Sequence, residues 1–300
     1  MNRDSITWTG PMTAVVTPFS DGGKIDQDAL RENIDRQLGA KATGVLIGGC
    51  TGEFWSLTAD ERCELFRVGV DATGGRGTVL AGTGAITVEE TVKLTRAAQD
   101  SGCDAALILP PYFIHLNDDE IFEHFRAVDA AVSFPIVLYN IPGNAINRIT
   151  PQLAVRLADL DNIVAIKESS GDWNNFYATL NAVGDRLRVF CGPSSIFGVP
   201  AVAAGADGFI DCFPNVWESG GIEMYFAAIE GRDEEANALQ RTGRALTDLF
   251  TSGGRSLYPA TKAAMTMRGY AAGDPRPPLQ ALKGDALQEL RAGLQALEII

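Results

Sequence analysis

One of the chain's six lysines stands apart from the rest. Lys24, Lys41, Lys93, Lys262 and Lys283 fall on turns or helical stretches, where an ammonium reaches water, whereas Lys167 ends the apolar run Ile163-Val-Ala-Ile-Lys167. Burying a charged lysine on a strand is strongly unfavourable. Desolvation lowers its pKa, and an amine that is partly neutral near pH 7 attacks carbonyl carbon to form a Schiff base. The competing reading is a structural ion pair with Glu168 or Asp172. Tyr139 also ends an apolar run, Ile136–Tyr139, in the stretch Val137-Leu-Tyr-Asn-Ile-Pro142. A phenol there can pass protons to a bound molecule, or can simply be an aromatic plug with a backbone partner for its hydroxyl. The loop Gly48-Gly-Cys-Thr-Gly-Glu53 lacks the Lys-Ser/Thr of a phosphate-binding loop. Its backbone amides, with the Thr51 hydroxyl, suit a small anion such as a carboxylate, and a tight strand-to-helix turn is the plainer alternative. Gly82-Thr-Gly84 lacks the third glycine of a dinucleotide fingerprint and carries no weight.

Eight short apolar runs carry these features: Thr13–Thr17, Gly44–Ile47, Thr78–Ala81, Ala105–Leu109, Ile136–Tyr139, Ile163–Lys167, Leu187–Cys191 and Gly208–Cys212. They are continuous rather than alternating, as strands buried on both faces should be. Amphipathic stretches lie between them, among them Asp26–Gly39, Thr58–Ala72, Thr87–Ser101 and Asp118–Ala130. Thr58-Ala-Asp-Glu61 and Thr87-Val-Glu-Glu90 have capping-box spacing. Strict alternation implies right-handed βαβ units, and eight of them predict an α/β fold, a closed (β/α)8 TIM barrel. One more helix, about 221–229, completes the barrel. The stretch beyond reads as helices only, at Glu234–Thr251, Leu257–Arg268 and Asp285–Leu297, with the connector Gly273-Asp-Pro-Arg-Pro-Pro278. The expected division is therefore a barrel over 1–232 and a C-terminal helical extension over 233–300 packed on it. In such a barrel chemistry belongs at the C-terminal strand ends, where Lys167, Tyr139 and the Cys50–Thr51 loop fall.

Composition narrows the field. The 300 residues are 46 % hydrophobic and 21 % charged, which excludes a disordered chain. The formal charge of −13 argues against nucleic-acid or anionic-membrane partners. Five scattered cysteines without a CxxC do not form a disulfide framework or a zinc site, which fits a reducing, cytoplasmic setting. The opening Met-Asn-Arg-Asp-Ser-Ile-Thr-Trp has no apolar signal core, and no apolar run reaches the ~18 residues of a membrane span. Two histidines, His115 and His124, leave no HExxH pair and little room for a serine triad, so no metal is expected. His124 reads as a surface or core residue.

Taken together, the motifs resemble those of the dihydrodipicolinate synthase and N-acetylneuraminate lyase family of Schiff-base class I aldolases. The resemblance runs through nearly the whole chain: Thr17-Pro-Phe19, Gly49-Cys-Thr-Gly-Glu53, Leu80-Ala-Gly-Thr-Gly84, Tyr139-Asn-Ile-Pro142, Ile166-Lys-Glu-Ser-Ser-Gly171 and Gly205-Ala-Asp-Gly-Phe-Ile210. It implies a barrel with a C-terminal helical extension, usually a tetramer of paired dimers, and a 2-oxo acid substrate, commonly pyruvate. By position, Lys167 resembles the Schiff-base lysine and Tyr139 the proton-transferring tyrosine. Thr51, with the Cys50–Thr51 backbone, resembles the binder of the oxo-acid carboxylate, and Gly192 and Ile210 match residues lining the pocket.

Three departures follow. Cys50 stands where synthases usually carry Thr, Phe113 stands where they carry a relay tyrosine donated by a neighbouring subunit, with Tyr112 adjacent, and Asn144 stands where they carry an arginine for the aldehyde substrate's carboxylate. Arg148 is nearby at the wrong spacing. The stretch Gly49-Cys-Thr-Gly-Glu-Phe-Trp-Ser-Leu57 is similar instead to one of 5-dehydro-4-deoxyglucarate dehydratases.

The expectation is thus a carbon–carbon or carbon–oxygen lyase without metal or cofactor, acting on pyruvate or a 2-oxo-3-deoxy acid through a Lys167 imine and working as a homo-oligomer. Tyr139 moves protons, and the Cys50–Thr51 loop holds the C1 carboxylate. The alternatives are a synthase condensing pyruvate with aspartate-semialdehyde, and a non-catalytic oxo-acid-binding barrel. A pyridoxal-phosphate barrel is disfavoured because no glycine-rich phosphate cup follows the seventh or eighth strand.

Overall fold

The computed structural model describes residues 1–300. Its strands are β1 (Gly10–Ala14), β2 (Gly44–Ile47), β3 (Thr78–Gly82), β4 (Ala105–Ile108), β5 (Ile136–Asn140), β6 (Ile163–Glu168), β7 (Arg188–Cys191) and β8 (Gly208–Asp211). All pair in parallel, each with its neighbours in sequence, and β1 closes on β8. This is the expected (β/α)8 barrel. The boundaries agree to within a residue or two, except at β1. There the last ladder bond is Val15 N–H to the Leu46 carbonyl at 3.0 Å, and residues 16 and 17 are spent on loops: Val16 N–H donates to Asn215 Oδ1 at 3.2 Å, and Thr17 Oγ1 donates to the Gly52 carbonyl at 2.8 Å.

Helices α1 (Gln27–Gly39), α2 (Ala59–Thr73), α3 (Val88–Asp100), α4 (Asp118–Asp129), the single turn α5 (Pro142–Ala145), α6 (Pro151–Leu157), α7 (Trp173–Val183), α8 (Ser194–Ala203) and α9 (Glu218–Ile229) follow the strands. The Thr58–Glu61 box is complete, with Glu61 N–H on Thr58 Oγ1 at 3.2 Å and Thr58 N–H on Glu61 Oε2 at 2.9 Å. At Thr87 only half of the box forms: Glu90 N–H bonds Thr87 Oγ1 at 3.2 Å, and Glu90 does not return the bond.

Strand parity sorts side chains into two layers. Leu138 and Ile166 pack outward in the strand–helix core, and Val137, Tyr139 and Ala165 pack in the barrel interior. The chain then continues as α10 (Asp233–Thr251), α11 (Leu257–Met267) and α12 (Gly284–Ala296). Leu246, Phe250, Ala260, Ala264 and Leu290 from these helices share a third apolar cluster with Val16, Cys212, Phe213, Val216 and Trp217 of the barrel. No helix is long and apolar enough to cross a membrane.

Candidate active site

Lys167 and Tyr139 are register partners on β6 and β5. Equal parity turns both side chains into the barrel mouth, where Lys167 Nζ lies 4.4 Å from the centre of the Tyr139 ring. Lys167 is 5 % exposed and makes no ion pair with a carboxylate. Burial lowers its pKa, although the nearby Cys50 and Asp211 pull the other way. The ion-pair reading therefore fails on geometry. Glu168, of opposite parity, turns outward and accepts from Asn140 Nδ2 (2.8 Å), Asn175 Nδ2 (3.1 Å) and Ser170 N–H (3.1 Å). Asp172 caps α7. The Asn140–Glu168 bond clasps the outer face of the two strands whose inner face carries Tyr139 and Lys167.

A cavity of about 180 Å³ opens beside these two residues. All six residues singled out in the sequence line it: Lys167, Tyr139, Cys50, Thr51, Gly192 and Ile210. The N–H groups of Cys50 and Thr51 donate to no backbone carbonyl, so both are free for a ligand. The loop holding them is braced by Thr17 through Gly52 and by Glu53, which is fully buried and sits in the left-handed region at φ 56°. Lys262 Nζ lies 2.8 Å from Glu53 Oε1, and Arg276 N–H donates to Glu53 Oε2 at 3.0 Å. Lys262 thus corrects the sequence reading of five solvated lysines: it is 2 % exposed, and burial lowers its pKa too. Unlike Lys167, it has a carboxylate partner. At Gly192 an added Cβ would fall 1.6 Å from Ser169 Oγ, so the wall beside the lysine admits no side chain there.

The cavity has a polar far wall that the sequence did not reveal. Ser169 and Ser195 line it from the barrel, and Thr247, Thr251 and Tyr258 line it from the extension. Thr247 Oγ1 donates to Ser195 Oγ at 2.9 Å, while Ser169 Oγ is buried with no partner. Lys167 and Asp211 are the only charged side chains lining the cavity. Asp211 accepts from Ser194 Oγ, from Ser195 N–H at 3.1 Å and from Cys212 N–H at 2.6 Å. Asn144 is exposed at the rim, and its Nδ2 donates to Tyr258 Oη at 3.0 Å. Arg148 is exposed and does not line the cavity. Phe113 is 85 % exposed and Tyr112 packs edge-on against Phe54, so neither enters it. His124, away from the site, is buried, and burial lowers its pKa to about 4.

The family model described as the dihydrodipicolinate synthetase family matches residues 7–297. A 4-hydroxy-tetrahydrodipicolinate synthase of Alkalilimnicola ehrlichii is 38 % identical over 230 residues, covering 77 % of this chain and 79 % of the relative. One from Methanothrix thermoacetophila is 34 % identical over 283 residues, covering 94 % of each. Among solved structures, the dihydrodipicolinate synthase of Aquifex aeolicus superposes with a TM-score of 0.91 at 30 % identity, covering 97 % of this chain and 99 % of that one. The chloride-inhibited synthase of Acinetobacter baumannii, complexed with pyruvate, gives 0.91 at 29 % identity, covering 98 % of this chain and 100 % of that one. With the match spanning nearly the whole length, the chain belongs to the dihydrodipicolinate synthetase family, whose members are class I aldolase-type lyases.

Proposed function

We propose that this chain is a Schiff-base lyase in which Lys167 attacks the 2-oxo carbon of pyruvate or a 2-oxo-3-deoxy acid. The observation carrying this reading is a buried lysine without a carboxylate partner, facing a cavity beside Tyr139. Loss of water from the carbinolamine gives an iminium, which withdraws electrons and makes the C3 proton acidic near neutral pH. Tyr139 hands a proton to the departing hydroxide and then removes the C3 proton. The free Cys50 and Thr51 amides, with the Thr51 hydroxyl, hold the C1 carboxylate, and Gly192 and Ile210 shape the wall.

The far wall supports a neutral, hydroxylated second fragment. It offers hydroxyls from Ser169, Ser195, Thr247 and Thr251, and no arginine. An anionic aldehyde would find no second cation in the cavity besides Lys167, which already faces Asp211. The names of the relatives favour a second reading, condensation of pyruvate with aspartate-semialdehyde. We further take 233–300 as an extension of the barrel rather than a separate domain, since its apolar residues share one cluster with barrel residues. We also infer an association of copies through the exposed Phe113 and Ile114, and a cytoplasmic setting.

Borohydride trapping with pyruvate and several 2-oxo-3-deoxy sugar acids, followed by peptide mass spectrometry, tests the reading. A reduced adduct on Lys167 is expected, strongest with the preferred acid. Efficient turnover of aspartate-semialdehyde would install the second reading. A folded protein that traps none of these acids would overturn both and leave an oxo-acid-binding barrel without catalysis.

A further inference from the structure

Arg62 is a buried cation that the reaction scheme leaves unused. It lies on α2, is 4 % exposed and makes no ion pair. Its Nη2 donates to the Gly82 carbonyl and, at 3.2 Å, to the Gly84 carbonyl, while its Nε is buried with no partner. Glu90, whose charge reaches it from α3, is exposed and makes no bond to it. A desolvated guanidinium without an anion is costly, which marks the place as one where an anion is due. Arg62 lines a second, water-sized cavity of about 10 Å³ with Gly48, Gly49, Cys50 and Tyr139, and it is the only charged side chain there. Cys50 and Tyr139 also line the reaction cavity. The carbonyl-bearing Gly82 is pressed against the reaction loop, since an added Cβ would fall 2.2 Å from the Gly48 carbonyl oxygen. Phe54, where that loop ends, has its ring centre 5.3 Å from the guanidinium carbon. Residues 48–54 are buried throughout. The free cation therefore stands behind the loop whose Cys50 and Thr51 amides face the reaction cavity.

Resting on the imine reading, we propose that Arg62 is a positioning and specificity residue for the 2-oxo acid: from behind the Gly48–Glu53 loop its charge holds the C1 carboxylate on the Cys50 and Thr51 amides without touching it. The amides supply direction and partial charges only. The full positive charge cannot come from Lys167, which attacks the 2-oxo carbon as the neutral amine. It cannot come from Lys262 either, which is paired with Glu53 on 2.8 Å. Arg62 is left as the unpaired cation against this loop, and it stays charged at any working pH. Because buried residues fill the space between, its attraction is little weakened by water or salt. The consequence is a preference for acids charged at C1 over neutral carbonyl compounds of the same shape.

The readout is borohydride trapping on Lys167 as a function of concentration, with pyruvate and with pyruvamide, whose C1 group has the same shape and no charge. Arg62→Met keeps the stem and removes the charge. The pyruvate concentration giving half-maximal trapping should rise by about tenfold or more, while that for pyruvamide stays within about twofold, so the preference for the acid narrows by about tenfold. Arg62→Gln, which loses the charge but keeps an N–H for the Gly82 carbonyl, should narrow it alike. The narrowing should persist in about 0.5 M NaCl, because the charge is buried. Each variant is its own control, since a general loosening of the loop weakens acid and amide together. Equal weakening of the two compounds would make Arg62 a brace for Gly82 and Gly84 and overturn the proposal. A wild-type preference in either variant would overturn it as well. If wild-type protein traps neither compound, the imine reading fails and takes this one with it. If wild-type protein traps pyruvate and the preference does not move, the imine reading stands and the role of Arg62 alone falls.

Discussion

Lys262→Met tests how the C-terminal extension holds the reaction loop. Lys262 and Glu53 are both almost inaccessible, at 2 % and 0 % side-chain exposure, with Nζ and Oε1 2.8 Å apart. Methionine keeps the stem against the Phe19 ring, over which Nζ now sits at 4.1 Å, and removes the charge. What remains is a buried carboxylate with the Arg276 N–H as its one hydrogen-bond donor. Removing one partner of a buried pair costs about 3–5 kcal/mol, mostly because the survivor is left uncompensated. At roughly 2–4 °C per kcal/mol for a chain of this class, the apparent melting temperature should fall by about 6–20 °C. Glu53→Gln on top of Lys262→Met removes the stranded charge and keeps an acceptor for Arg276, so the double variant should recover much of the loss. Differential scanning calorimetry on the three proteins reads both effects. The KM for the oxo acid should rise with Lys262→Met, because Glu53 sits at a left-handed φ of 56° two residues after Thr51 and relaxes once it is released. A melting temperature within about 2 °C of wild type, or a double variant less stable than the single, would refute the idea that the pair is a compensated brace.

Two further outcomes follow from the lysine–tyrosine pair. Lys167→Met should abolish trapping yet stabilise the fold by about 0.5–2 kcal/mol near pH 7, as relief of a functionally strained site commonly does. Because burial lowers the folded-state pKa of Lys167, the unfolded chain binds the proton more tightly. The native penalty is full below the folded pKa and vanishes above the unfolded one, so the gain in melting temperature should shrink as the pH rises toward 10.5. A gain that grows with pH would contradict this sign. Tyr139→Phe should lower kcat by about 10²–10⁴-fold while the Lys167 adduct still forms slowly under borohydride, and unchanged steady-state turnover would remove Tyr139 from proton transfer.

The barrel was legible because a strand buried on both faces must be apolar throughout, and eight such runs separated by capped helices admit few other folds. Lys167 was legible for the same reason: a lysine closing an apolar run violates the rule that made the run visible. Lys262 shows the limit of that logic. On a helix a lysine looks solvated whichever face it occupies, and its partner Glu53 lies on a loop remote in the chain, so neither burial nor pairing leaves a local trace. The β1 offset arose similarly, since Val16 and Thr17 are as buried as a strand but bond to Asn215 and Gly52.

The sequence by itself therefore determined the architecture, through periodicity, and singled out Lys167 as the residue that breaks it, whereas the other near-wall residues were marked by resemblance to the family and not by any local pattern. Only the tertiary structure decided the rest. It turned Glu168 away from Lys167 by strand parity, set the Asn140 clasp behind Lys167 and Tyr139, and closed the far wall with Thr247, Thr251 and Tyr258 from the extension. Those choices depend on which helix lands over which strand end, and such long-range packing leaves no pattern in nearby residues.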